Sequence, residues 1–184
     1  MRKLFYNFIY TYILRWKYKV TVPMFDKCVI CAAPHTTNSD LFLGKLFFGI
    51  VSNGRAHFLM KKEWFFFPLG IFFRAVGGIP VDRGHKHKVS MTQQMAKIFA
   101  KRKCFTLAIT PEGTRSANSE WKKGFYYIAL EAKVPIILAG IDYATKTIVT
   151  NKYIIPNGDI DVQMQEIKQH FAQFKGKHPE RFAI

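Results

Sequence analysis

Apolar residues in this chain come in short runs separated by compact polar islands, and the runs alternate between two periods. Residues 29–33, 56–60, 79–81, 105–109 and 135–141 are continuous apolar stretches of strand length, bounded by Gly, Pro or polar clusters. Between them, 41–51, 62–75, 89–102 and 125–132 suit helices. Pro68 and Gly70 should break or bend the second of these. A strand at 147–155 precedes a closing helix with Ile160, Met164, Ile167, Phe171 and Phe174 on one face. Strand–helix alternation predicts an α/β fold: a single domain over residues 23–184, with a mostly parallel central sheet flanked by helices. There is no internal repeat and no linker long enough to divide it.

The first 22 residues read differently. Their longest uncharged run, 4–14, is too short to span a bilayer, which takes about twenty apolar residues. No small-residue cleavage site of the secretory type follows it. Phe5, Ile9, Ile13 and Trp16 recur at helical spacing, bracketed by Arg2, Lys3, Arg15, Lys17 and Lys19 with no acid. This pattern predicts an amphipathic interfacial helix over 1–22 that lies on a membrane surface. The alternative is a core-packing helix with solvated ends.

Charge sharpens the choice of partner. Lys and Arg number 28 against 12 Asp and Glu, a net charge of +16, so the surface seeks polyanions. Aromatic residues make up 16%, with Phe clustered beside basic residues, which is the profile of a protein on an anionic membrane rather than on nucleic acid. No nucleic-acid-binding signature accompanies it. The expected location is cytoplasmic, peripheral on the inner face of the membrane. Cys28 and Cys31 have C-x-x-C spacing but fall in an apolar run that reads as a buried strand; three cysteines suit a reducing compartment. No metal is expected, because no compact cluster of His and carboxylates occurs.

Candidate chemistry lies in the polar islands APHTTNSD, GGIPVDRG and TPEGTRS. His35 directly follows a strand, and Asp40 falls where the next helix begins. On a straight helix a five-residue spacing would splay the two, whereas a turn through Thr36, Thr37, Asn38 and Ser39 can bring them together. The carboxylate would then fix the imidazole tautomer and leave the other ring nitrogen to take a proton from a hydroxyl. Arg83 and Arg115 each follow a strand and a glycine-bearing turn, where a guanidinium suits bidentate phosphate recognition. Gly113 would let backbone N–H groups approach an anion. Structural alternatives are ion pairs of Arg83 with Asp82 and of Glu112 with Arg115. Aromatic stretches at 64–67 and 69–73, with 41–51, supply an apolar wall for a lipid chain.

Taken in order, these islands resemble the motif boxes of the glycerolipid acyltransferases: HTTNSD the H-x4-D box, GGIPVDR the second, PEGTRS the third and VPIILAG the fourth. The chain looks like a member of the lysophosphatidic acid and glycerol-phosphate acyltransferase group from about Lys27 to Ile141. It departs from it in having Pro34 before the histidine, where Asn is common, and Leu138 where a second proline is common. The resemblance implies His35 as general base oriented by Asp40, with Arg83 and Arg115 on the acceptor phosphate. Glu112, Gly113 and Thr114 would line the site, and Lys61 or its neighbour Lys62 would point into the same groove. No cofactor is implied; the co-substrate would be a thioester of coenzyme A or acyl carrier protein. The acceptor would be a lysolipid, foremost 1-acyl-glycerol-3-phosphate. Other readings are acylation of a different lysolipid and a non-catalytic lipid-surface module. A G-x-S-x-G hydrolase elbow is absent.

Overall fold

A computed structural model describes residues 2–23, 25–52, 56–81 and 90–184. Five strands form the parallel body of a seven-stranded sheet: β2 (Lys27–Ala33), β3 (Ala56–Lys61), β4 (Gly78–Val81), β5 (Phe105–Ile109) and β6 (Ile136–Asp142). They lie in the order β6-β2-β5-β3-β4, so the chain crosses over between most consecutive strands. β7 (Thr147–Ile154) runs antiparallel to β6, and β1 (Lys17–Val20) pairs parallel to β7 at the edge. The helices are α1 (Arg2–Phe8), α2 (Ser39–Val51), α3 (Leu69–Ala75), α4 (Met91–Lys101), α5 (Gly124–Ala132) and α6 (Ile160–Phe171). The expected α/β fold with a mostly parallel sheet is borne out.

Alternation along β2 sets up two cores. Val29, Cys31 and Ala33 face α4, α5 and α6, where Phe99, Phe125, Ile167 and Phe171 are buried. Cys28 and Ile30 face the opposite side, packed with Leu43, Phe47 and Phe48 of α2 and with Tyr10. Each such aromatic or aliphatic burial contributes roughly 1.5–3 kcal/mol before conformational entropy is charged against it. Both β2 cysteines are buried and unbonded to each other, and burial pushes both thiols up, so they behave as core residues.

Glycines let elements approach closely on both faces. A Cβ on Gly49 would run into the Tyr6 ring, so α1 lies down on α2 because position 49 has no side chain. On the other face, the Phe174 ring occupies the space over Gly140 of β6. Phe174, expected on the closing helix, lies three residues beyond the end of α6 yet remains buried.

The amino-terminal segment departs from one continuous helix. α1 passes into a π-helical turn, Ile9–Ile13, and the chain then reverses at Arg15 (φ 56) into β1. Trp16 therefore leaves the helix and is buried, edge-on to Tyr143 at 4.9 Å, while Phe5 and Ile13 stay exposed. The expected helix at 62–75 divides at Pro68: a single 3-10 turn, Lys62–Trp64, is followed by α3, which starts at Leu69 and takes in Gly70 without a break. Among the described residues, no helix is long and apolar enough to cross a membrane.

Candidate active site

The carboxyl ends of β2 and β5 bring the first and third polar islands together. β2 ends at Ala33, and α2 begins four residues after His35. The intervening turn folds back, placing His35 Nδ1 3.2 Å from Asp40 Oδ2. This is a close polar contact rather than an aligned hydrogen bond, since Nδ1 is buried with no partner that meets hydrogen-bond geometry. Oδ2 also accepts the N–H groups of Thr36 and Thr37, each at 2.9 Å, and Oδ1 accepts the Tyr143 hydroxyl at 2.7 Å. Asp40 is 3% exposed, so its charge is held by these donors and by the amino-terminal turn of α2. The Tyr143 hydroxyl is pushed up, first by burial and then by its bond to Asp40, and therefore stays a donor.

Glu112 holds the histidine from the other side. The His35 backbone N–H donates to both carboxylate oxygens of Glu112, 3.0 Å to each, across 77 residues of sequence. Glu112 is 2% exposed. Burial raises its pKa to about 7, against the lowering effect of the His35 backbone N–H and ring; nearby Asp40 adds to the rise. Glu112 thus fixes the main chain of the H-x4-D turn instead of facing the cleft, and its own carbonyl accepts from Asn118 at 2.9 Å.

The remaining expected residues divide. Arg115 is exposed, and its Nη1 donates to Asn38 Oδ1, which ties the third island to the first. The alternative of a Glu112–Arg115 ion pair gives way to these two separate partnerships. Gly113 takes φ +69, a conformation that L side chains rarely adopt. Its absent Cβ leaves space for the Lys122 side chain, whose Cγ lies 3.1 Å from where that atom would be. Thr114 Oγ1 accepts from Ser116 N at 3.3 Å, a local turn contact. Lys61 closes β3 and Lys62 opens the following 3-10 turn, both exposed. Asp82 and Arg83 lie outside the described residues.

His35, Asp40, Gly113 and Arg115 all line one cleft of ≈ 720 Å³, within the usual range for small-molecule sites. Its floor is apolar. Ala32 and Ala108, near the carboxyl ends of β2 and β5, and Ala139, midway along β6, line it. There Gly44 faces open space, with no atom within 4 Å of a Cβ placed on it. Phe58 and Met60 of β3 form a wall, whereas none of residues 64–73 does, among the described residues. Lys45, Lys122 and Lys123 add cationic groups; Lys45 Nζ donates to the Val76 carbonyl at 2.8 Å, and Lys123 pairs with Asp161. Tyr143 and Lys122 lie outside the residues that the sequence pattern points to, and Asn38 figures there only as part of the turn. Asn38 sits inside the first island, Lys122 follows the third at WKKG, and Tyr143 carries no local signal at all.

Fold and site define a class: an α/β protein with a three-layered helix–sheet–helix body, whose imidazole–carboxylate pair can do general-base chemistry beside an apolar cleft. Residues 17–141 match the Acyltransferase family, and the chain belongs to that family. It is 30% identical over 138 residues to the 1-acyl-sn-glycerol-3-phosphate acyltransferase of Saccharomyces cerevisiae, a stretch covering 71% of this chain and 44% of the yeast protein. The chain therefore spans less than half the length of that relative. Its fold is similar to the crystal structure of PlsC, the 1-acyl-sn-glycerophosphate (LPA) acyltransferase of Thermotoga maritima. The TM-score is 0.58, over 95% of this chain and 80% of that one, at 17% identity.

Proposed function

We propose that this protein transfers a fatty acyl group from a thioester to the hydroxyl of 1-acyl-glycerol-3-phosphate, giving phosphatidic acid. The observation that carries the reading is the His35–Asp40 pair opening on an apolar cleft that also holds Arg115. The yeast relative's name supports the choice of acceptor.

With Nδ1 turned to Asp40, the other ring nitrogen of His35 is left for the acceptor hydroxyl. It takes the hydroxyl proton as the oxygen attacks the thioester carbonyl. The C–O ester bond forms, the C–S bond breaks, and the proton passes from His35 to the departing thiolate. General-base assistance of this kind is worth about 10²–10⁴ in rate. No side-chain nucleophile is required, because the thioester is already activated. Asp40 orients the ring; Glu112 and Tyr143 hold that arrangement in place. Arg115, with Arg83, Lys61 and Lys122, supplies positive charge for the acceptor phosphate, and Gly113 and Thr114 shape that end of the site. The donor is coenzyme A or acyl carrier protein, both of them anionic partners for a chain of net charge +16. The protein works from the cytoplasmic, inner face of the membrane, with the exposed side of α1 turned to the anionic surface.

The test is thiol release from palmitoyl-coenzyme A in the presence of lysophosphatidic acid, lysophosphatidylcholine or no acceptor, with lipid products followed in parallel. Release that depends on lysophosphatidic acid and yields phosphatidic acid is expected. Release independent of any acceptor would point to hydrolysis and overturn the reading.

A further inference from the structure

The large apolar side chains left in water are concentrated on one face. Among the described residues, α4, α5 and α6 expose only Tyr127 and Val162. The opposite face exposes Phe5 and Phe8 on α1, Leu41 and Phe42 on α2, and a denser group between the end of β3 and the end of α3. In that group Trp64, Phe66, Phe67, Ile71 and Phe72 are 54–82% exposed. Contiguous exposed apolar surface with a polar rim marks a protein or membrane contact.

Three observations select the bilayer. First, the rim is cationic: between residues 56 and 81, Glu63 is the one acid against Lys61, Lys62 and Arg74, in a chain of net charge +16. That complements an anionic leaflet. Second, the surface is continuous with the cleft. Phe58 and Met60 of β3 line it, and the strand runs on directly into Lys61 and the aromatic group; Leu41, half exposed, also lines the cleft. Third, α1 borders the same surface, since Arg2 and Tyr6 share a small pocket with Ala75 and Val76 at the end of α3.

We propose that residues 64–72 are the element that enters an anionic lipid bilayer, with α1 alongside and the cleft mouth turned toward the lipid. This goes beyond the acyl-transfer reading and depends on it only for the reason a cleft should face lipid. It shifts the main anchor from the amino-terminal segment to the β3–α3 connection.

Tryptophan fluorescence tests it without turnover, so failure here is separate from failure of the acyl-transfer reading. Trp16 and Trp121 are buried and Trp64 is 54% exposed, so a solvent-sensitive change in emission reports on position 64. Phosphatidylcholine vesicles containing phosphatidylglycerol should shift the emission to the blue, and brominated acyl chains should quench it. A Trp64→Phe variant should lose both signals. The double variant Phe67→Ser, Phe72→Ser should bind these vesicles about 100-fold more weakly, roughly tenfold for each ring withdrawn from lipid. Its thermal unfolding should match that of the wild type, because both rings start in water. Vesicle affinity unchanged in the double variant would overturn the proposal. So would Trp64 emission that shifts with protein concentration and ignores vesicles, an outcome that assigns the face to a second copy of the chain.

Discussion

Replacing Glu112 by glutamine isolates the cost of keeping a carboxylate beneath the His35 turn. Its two oxygens accept one N–H, at 3.0 Å each, in a site only 2% exposed. Burial lifts its pKa from the ordinary 4.5 to about 7. A group whose pKa is raised on folding holds more protons in the native state, so its contribution to stability is full below about 4.5 and is lost as pH rises through about 7. At 1.36 kcal/mol for each pKa unit, the loss between about pH 5 and pH 8 is on the order of 2–3 kcal/mol. Glutamine keeps an oxygen for the His35 N–H and does not titrate. Urea unfolding of both proteins across that range should therefore show the wild type losing about 2–3 kcal/mol relative to Glu112→Gln as pH rises. Other titrating groups cancel in the difference. Two pH profiles that run parallel would refute the assignment of a buried, weakly acidic carboxyl to this position.

Other perturbations separate the parts of the site. Tyr143→Phe removes the hydroxyl that donates to Asp40 Oδ1 at 2.7 Å, leaving a buried carboxylate oxygen unpaired. Stability should fall by roughly 1–3 kcal/mol and kcat should fall with it, while the acceptor KM holds; steady-state kinetics and urea unfolding read both. Arg115→Ala should raise KM for a phosphorylated acceptor well above any effect on kcat, and should leave an acceptor without phosphate unaffected. Gly44→Leu places a side chain in the open space beneath α2, so turnover of palmitoyl thioester should drop more than that of an octanoyl thioester.

Much of the scaffold was legible because local pattern and tertiary outcome agree. The apolar run ending at Ala33, the polar turn and the helix after it follow one another as strand, turn and α2, which brings His35 and Asp40 together. The break at Pro68 was likewise written in backbone chemistry, whereas Gly70 is taken into α3. What was hidden depends on distant neighbours. β1, with the sequence KYKV, is a short edge strand, mostly exposed, whose charged alternation reads as the flank of a helix. Tyr143 reaches Asp40 from 103 residues away, and Glu112 reaches His35 from 77. Nothing near either residue announces the partner. Glu112 also shows how a motif can name a residue without its geometry: a position expected to line the site holds the backbone of the base. The aromatic residues 64–73 misled in the opposite sense, because an apolar run reads as wall or core, yet these side chains stand outside the cleft and mostly outside the fold.

The central claim is that His35 is the base for acyl transfer. It is tested most directly by measuring phosphatidic acid formation from palmitoyl-coenzyme A and lysophosphatidic acid with wild-type and His35→Ala protein side by side. The account predicts a fall of at least about 10²-fold for the variant, with urea unfolding and vesicle binding intact. Undiminished product from a folded His35→Ala protein would contradict it.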